Sequence, residues 1–474
     1  MTDEINKVKA NDLETPIETL ESVIQKQRDF FKTGQTRDLD FRIKNLQKLE
    51  SVLRQNEKQL FAAIDRDFKK SVFDTQLTEL SIIYKEIKLA IKSLKKWSKP
   101  KKVTTNLLNW PAQSYIDQEP YGVVLIIGAW NYPYQLTLVP LVSALAAGNT
   151  VVLKPSELSS QASQVLSQII NEHFFNNLVC CVQGGITFTQ KLLTYKFDKI
   201  FFTGSTKVGQ IVYQAAAAHL TPVTLELGGK SPCVVMPDAD LEVSAKRIVW
   251  GKFLNAGQTC IAPDYLLVHQ SIYDLFLIEL KKQIKLFYGE DTRQTQDYPR
   301  IINNKNWQRL VDLMQSSEVY TGGRFEKADS YIEPTILKNV KMTDPIMQEE
   351  IFGPLLPVMS YESLEQVSQF VTSRDRPLAF YCFTSDTAAA YELMAQISFG
   401  GGVVNDTLLH IANVNLPFGG VGSSGIGHYH GEFGFKTFTY SKSILVKNTW
   451  FDPDFRYPPY DRIKKTILNW LSSI

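Results

Sequence analysis

Between Tyr121 and Glu226 the chain alternates short apolar runs with longer amphipathic stretches, and few folds accept that pattern. Gly122-Val-Val-Leu-Ile-Ile-Gly128, Thr150-Val-Val-Leu-Lys154, Leu178 to Val182, Lys199-Ile-Phe-Phe-Thr203 and Pro222-Val-Thr-Leu-Glu226 read as strands. Leu136 to Ala147 and Glu157 to Phe174 read as helices. So does the stretch after Gly204, with Val208, Ile211, Val212 and Ala215 at i, i+3, i+4 and i+7. Strands alternating with helices of this length make a parallel sheet covered on both faces. The expected fold class is α/β.

A second α/β set begins near Gly228, with Tyr265 to His269, Leu355 to Met359 and Pro377 to Cys382 as strands and Tyr273 to Phe287 as a helix. Residues 1 to about 100 read as helical, notably Phe41 to Leu46 and Leu77 through Trp97. The basic stretch Lys95 to Lys102 reads as a solvated face. Ser114 to Gln118 and Phe433 to Lys447 look extended. The 474 residues suffice for two or three full cores. A formal net charge of +2 gives no reason to expect nucleic acid as a partner.

Met1 to Asp12 is polar and lacks the apolar core of a secretion signal. The longest apolar run, around Val123 to Trp130, falls well short of a membrane span. Five cysteines without metal-ligand spacing suit a reducing cytoplasm, and Cys180 and Cys181 read as core thiols.

Open parallel sheets bind ligands beyond the carboxyl ends of their strands. The unusual residues collect there: Trp130-Asn131-Tyr132-Pro133, Lys154 to Glu157, Thr203 to Thr206 and Glu226 to Lys230. Gly204 to Gly209 joins a strand to a helix, so it reads equally as a pyrophosphate-binding helix start or as a plain turn capped by Ser205 or Thr206. Gly420-Val-Gly422-Ser-Ser-Gly425 matches the G-x-G-x-x-G pattern, but no clear strand precedes it. No acidic residue stands about 20 positions later either, so close backbone packing is the better reading.

Cys260 ends Asn255-Ala-Gly-Gln-Thr-Cys260, and composition alone favours a core thiol over a nucleophile. Glu226 is a general base or a structural ion-pair partner. His428 and His430 lack a third ligand, and no metal is expected.

Five ordered motifs change that balance: Phe202 to Thr206, Leu225 to Lys230, Asn255 to Cys260, Glu349-Glu-Ile-Phe-Gly-Pro354 and Leu416-Pro-Phe-Gly-Gly420. Together they resemble the aldehyde dehydrogenase superfamily, over roughly residues 20 to 450. Ala129 to Pro133 and the ending Gly422 to Gly431 resemble its class 3 branch, which handles fatty and aromatic aldehydes.

The resemblance implies that Cys260 is the nucleophile, forming a thiohemiacetal and then a thioester, and that Asn131 donates to the oxyanion. It implies that Glu226 activates the hydrolytic water. Lys154 and Glu157 would hold the adenosine ribose, and Gly204, Ser205, Gly209 and Leu227 would lie under the pyrophosphate. Glu350 and Phe352 would orient the nicotinamide end. Repulsion by Glu157 favours NAD over NADP, with NADP still open.

The implied division gives 1–101 and 121–226 to cofactor binding and 227–438 to catalysis. It gives 102–120 and 439–449 to a small sheet joining a homodimer, and 450–474 to a tail. In that tail Ile463, Ile467, Trp470, Leu471 and Ile474 share one helical face beside Arg462, Lys464 and Lys465. Docking on the protein or its partner subunit is favoured there; a peripheral membrane contact is the alternative.

Transfer of the acyl group to CoA, or a non-catalytic binding role on the same scaffold, are the competing functions. CoA-acylating relatives would share Cys260 but generally lack the water-activating glutamate, so Glu226 argues against the first, and the three filled positions Cys260, Asn131 and Glu226 argue against the second.

Overall fold

Thirteen consecutive residues, Gln135–Ala147, are buried on every side, and the structure is built around the helix they form. An all-round apolar helix belongs inside a protein, and this one ends at Gly148 with φ 95°. The description rests on a computed structural model that covers residues 14–472. The leader reading of Met1 to Asp12 lies outside those residues, as do Ile474 and the side chain of Leu471.

Against the central helix pack Leu39–Gln55 and Ser81–Trp97, while Glu57–Phe68 lies on the later helix Ser160–His173; together they are the helical layer expected from the first hundred residues. A π-helical turn, Gln76–Leu80, leads into the last of these. The chain then forms β1 (Lys101–Val103) and β2 (Ala112–Pro120) before entering the first parallel sheet. That sheet holds β3 (Val123–Ile127), β4 (Thr150–Lys154), β5 (Val179–Cys181), β6 (Lys199–Thr203) and β7 (Val223–Glu226). Their spatial order is β7, β6, β3, β4, β5, all parallel, with the short Gly425–Ile426 pairing antiparallel outside β7. Strand order therefore reverses between β3 and β6, and the crevice at such a reversal is where an open sheet accepts a ligand.

A second sheet of seven strands runs Glu318–Thr321, Thr335–Lys338, Leu355–Tyr361, β9 (Tyr265–His269), β8 (Pro232–Val235), Ala379–Phe383 and Gly401–Val404. It is parallel except at Glu318–Thr321. A third sheet is antiparallel, β1 and β2 with Thr439–Lys447. Lys95, Lys96, Lys101 and Lys102 are exposed.

Two readings need correction. Phe433 to Lys447 is not extended throughout: Gly431–Thr437 is a helix, and only Thr439–Lys447 is a strand. Gly431 and Gly434 let that helix press closely, with Gly434 against Ser143, which spacing in sequence does not reveal. In the helix Thr206–Ala217 the buried residues are Gly209, Val212 and Ala216, whereas Val208 and Ile211 are 43% and 46% exposed. The apolar stripe is wider than the face the helix buries.

Candidate active site

Cys260 is presented by a strained turn. After the helix Leu241–Phe253, residues Asn255, Ala256 and Gly257 all take left-handed backbone angles, φ 53°, 52° and 74°. Such angles cost a non-glycine residue about 1–3 kcal/mol each, so the surroundings must enforce them. Asn255 Nδ2 donates to the carbonyls of Asn131 and Gln258 at 2.9 and 3.2 Å. Gln258 Nε2 donates to the carbonyls of Asn255 and Arg300, and its Oε1 accepts from the Ile302 N–H. Glycine is required at 257: a Cβ there would stand 2.2 Å from the Gly353 carbonyl oxygen.

Asn131 lies just past the end of β3 and is tied to this turn. Its Nδ2 donates to the Gln258 carbonyl at 3.1 Å, beside Cys260. The segment carrying it is clamped from the helical layer. Glu79 accepts from the N–H groups of Tyr134 and Gln135 at 2.8 and 3.3 Å and pairs with Lys70 at 3.4 Å, both side chains fully buried. Lys70 also sits over the Tyr132 ring, whose hydroxyl bonds Thr259 Oγ1 at 2.6 Å.

Cys260 alone of the five thiols is half-buried; Cys180, Cys181, Cys233 and Cys382 are buried. Burial, then the neighbouring Glu350 and Glu226, push its thiol above the ordinary range. The resting thiol is neutral, and a base must take its proton before attack. Glu226, the last residue of β7, is 2% exposed, and neither carboxyl oxygen bonds a protein group among the described residues. Burial holds that carboxyl well above the usual range.

Glu350 approaches the same space from the opposite side. Its carboxyl lies so close to Gly228 that a Cβ there would meet Oε2 at 2.0 Å. Burial first, then Asp264, raises it to about 8, against the opposing pull of the Gly229 N–H and Lys230. Phe352 has φ 49° and sets its ring edge-on to Trp130 at 5.2 Å.

Three residues that sequence reasoning left without a role hold this loop. Lys230 pairs with Asp264 and donates to the carbonyls of Ile346 and Glu349 at 2.9 and 2.8 Å. Asp264 accepts from the Ile351 N–H, and Arg309 donates to the Ile351 carbonyl at 2.6 Å. Lys230 stands in one of the five motifs, which was the available signal; Asp264 and Arg309 carry none. His410 was missed too. It flanks Phe418 with the buried His430, and no group of three or more His, Cys, Asp or Glu able to hold a metal occurs among the described residues.

The remaining predicted residues line the strand reversal. Lys154 ends β4, buried, with Nζ 2.6 Å from Glu157 Oε2. Glu157 lies in the turn before the helix Ser160–His173 rather than inside it. The Gly204 N–H donates to the Glu226 carbonyl at 3.0 Å, and Ser205 Oγ accepts from the Val208 N–H. Gly209 lets the helix lie on Leu227, since a Cβ would meet Leu227 Cδ2 at 2.6 Å. Gly420 to Gly425 instead packs backbone on backbone: a Cβ at 420 would meet the Ser424 carbonyl at 2.1 Å.

The structure thus brings Cys260, Asn131, Glu226 and Glu350 near one another. A thiol between amide donors and buried carboxyls can add to a carbonyl, next to a turn shaped for a dinucleotide. The glycines at 209 and 228 let Leu227 and the Glu350 carboxyl pack against the backbone beside the strand ends. The fold is that of a dinucleotide-linked oxidoreductase.

The chain belongs to the aldehyde dehydrogenase family, whose model matches residues 6–444. It is an NAD(P)-dependent aldehyde dehydrogenase. It is 47% identical to 4,4'-diaponeurosporen-aldehyde dehydrogenase of Staphylococcus aureus over 91% of this chain and 94% of that one. It is 45% identical to the dimeric NADP-preferring aldehyde dehydrogenase of Rattus norvegicus over 93% and 98%. The solved substrate-bound state of Staphylococcus aureus AldH superposes with a TM-score of 0.93 at 46% identity, covering 95% of this chain and 99% of that one. No helix among the described residues is long and apolar enough to cross a membrane.

Proposed function

We propose that the chain oxidises a medium- or long-chain aliphatic or aromatic aldehyde to its carboxylate through a thioester on Cys260. The observation that carries this reading is the buried carboxyl of Glu226, with no protein partner, in the cleft that holds Cys260. The Cys260 thiol gives up its proton to solvent as its sulfur adds to the aldehyde carbon, and the developing oxyanion is received by Asn131 Nδ2 and the Cys260 N–H. One such donor is worth about 10²–10³ in rate. NAD or NADP, when bound, supplies the hydride acceptor. Glu226 then takes a proton from water as the water oxygen bonds to the thioester carbon, the C–S bond breaks, and the carboxylate departs. Because burial raises the Glu226 carboxyl, deacylation quickens as pH rises and the base deprotonates.

In this reading 1–101 and 121–226 bind the cofactor and 227–438 supply the chemistry. Lys154 and Glu157 meet the adenosine ribose. Gly204, Ser205, Gly209 and Leu227 lie under the pyrophosphate, and the exposed Val208 and Ile211 give an adenine an apolar bed. Glu350 and Phe352 meet the nicotinamide end. NAD is preferred and NADP accepted. A long apolar substrate is supported by the similarity to a relative named for a diaponeurosporen aldehyde.

The chain assembles as a homodimer through 102–120 and 439–449, where the edge strand Thr439–Lys447 exposes Ile444, Leu445 and Val446. The tail 450–474 docks on the protein or its partner subunit, with a peripheral membrane contact as the alternative; the five free thiols support a reducing, cytoplasmic compartment.

The test is Glu226→Gln, with Cys260→Ala as control. Glu226→Gln should release about one NADH per site and retain the acyl mass on Cys260 by intact-protein mass spectrometry. Cys260→Ala should do neither. Full steady-state turnover by Glu226→Gln without trapped acyl group would remove Glu226 from deacylation.

A further inference from the structure

A tetrahedral adduct on Cys260 sets its oxyanion between two donors that come from different parts of the fold. Asn131 follows β3 of the first sheet, whereas the Cys260 N–H belongs to the turn that leads into β9 of the second. The two segments must keep their register, because a misplacement of about 1 Å can cost about 10²-fold in rate.

The turn that carries the thiol is held within its own half of the molecule. Tyr381, buried in the strand Ala379–Phe383, donates from its hydroxyl to the Ile261 carbonyl at 2.6 Å. On the other side of Cys260, Gln258 Nε2 donates to the Arg300 carbonyl at 3.0 Å, and Gln258 Oε1 accepts from the Ile302 N–H at 3.1 Å. These contacts fix the thiol against the second sheet but do not place Asn131.

Other hydrogen bonds join the two segments. Asn255 Nδ2 donates to the Asn131 carbonyl at 2.9 Å, which ties the backbone there but not the side-chain amide. Asn131 Nδ2 donates to the Gln258 carbonyl at 3.1 Å, yet this amide is the group that has to be placed and cannot be its own anchor. The hydroxyls of Tyr132 and Thr259 lie 2.6 Å apart, and both residues are buried. That bond stands one residue after Asn131 and one residue before Cys260, and shelter from water strengthens it.

Tyr132 is itself fixed from the helical layer. Lys70 Nζ lies 4.4 Å from the centre of its ring and pairs with Glu79 at 3.4 Å, while Glu79 accepts from the Tyr134 N–H at 2.8 Å. A desolvated cation over the ring face attracts it and adds to the packing that aims the phenol.

We infer that Tyr132 and Thr259 are positioning residues that set the register between the Asn131 amide and the Cys260 N–H. The inference rests on the reading of those two groups as the oxyanion donors. The hydroxyl pair acts through its chain neighbours and not on the substrate.

The experiment compares two reactions of the Cys260 thiol in the full-length enzyme, with folding checked by a melting scan. Acylation by p-nitrophenyl acetate passes through an oxyanion, whereas alkylation by iodoacetamide displaces iodide and forms none. Tyr132→Phe and Thr259→Val should each slow acylation at least about tenfold, a displaced donor costing part of the roughly 10²–10³ that a lost one costs. Alkylation should keep the parental rate, because Tyr381 and Gln258 still hold the thiol. Thr259→Ser keeps the hydroxyl and should acylate like the parent. The double variant should be no slower than the slower single one, since both changes remove the same bond.

Parental acylation in both Tyr132→Phe and Thr259→Val overturns the inference. An equal fall in acylation and alkylation does so too, because it marks a displaced thiol rather than a displaced donor. So does a Thr259→Ser enzyme as slow as Thr259→Val. Parental acylation in a parallel Asn131→Ala sample would instead overturn the oxyanion reading itself.

Discussion

Glu157 and Lys154 form an ion pair at the end of β4, the place proposed for the adenosine ribose. The Glu157 carboxylate is 39% exposed and reaches back to a lysine buried at the end of β4. A 2′-phosphate brought to that carboxylate meets like charge, and two unit charges about 4 Å apart in water repel by about 1 kcal/mol. Glu157→Gln should therefore raise kcat/KM for NADP relative to NAD by about fivefold. Measuring both cofactors with one aldehyde decides it, and an unchanged ratio would mean that Glu157 does not face the ribose. The pair was legible in sequence because its members are three residues apart after a strand. Lys230, Asp264 and Arg309 were less so: they meet across 34 to 79 positions only when the loop Glu349–Gly353 folds back onto β8 and β9.

The turn from Leu254 to Gly257 and the Lys70–Glu79 pair are the elements on which the geometry depends. The turn alone is unfavourable, and Asn131, Gln258 and Gly353 hold it in place. The pair anchors the first turn of Gln135–Ala147, and with it the backbone that carries Asn131. Removing one member of a buried ion pair typically costs about 3–5 kcal/mol, because the other charge is stranded. Glu79→Gln should thus lower the thermal midpoint by several degrees in a melting scan. It should also lower kcat more than it raises KM if Asn131 is the oxyanion donor proposed above, since that residue shifts while the rest of the cleft stays. A melting point equal to the parent's would show that Lys70 finds another acceptor. Nothing in sequence pairs Lys70 with Glu79 or either with Tyr134, because 55 residues separate Glu79 from the backbone it caps.

At the scale of the whole molecule the exposed apolar surface gathers toward the C-terminus. The helix Arg462–Ser472 leaves Ile463 and Trp470 71% and 60% exposed, with Leu468 half-exposed and Arg462, Lys464 and Lys465 beside them. Deleting 461–474 should abolish co-sedimentation with anionic lipid vesicles and leave the dimer mass by light scattering unchanged. A fall in mass instead would assign the tail to the partner subunit.

Sequence by itself determined the two parallel sheets, the helical layer before them and the order of the motifs, because strand and helix periodicities are local properties of the chain. It also placed Cys260, Asn131 and Glu226 at strand or helix ends, where open sheets expose chemistry. The tertiary structure decided what those residues face. The exposure of Val208 and Ile211, the helix at Gly431–Thr437 and the hydrogen bond from the Gly431 N–H to Glu86 all come from contacts between segments far apart in the chain. A residue's surroundings, and with them its charge state, depend on neighbours that no local pattern encodes.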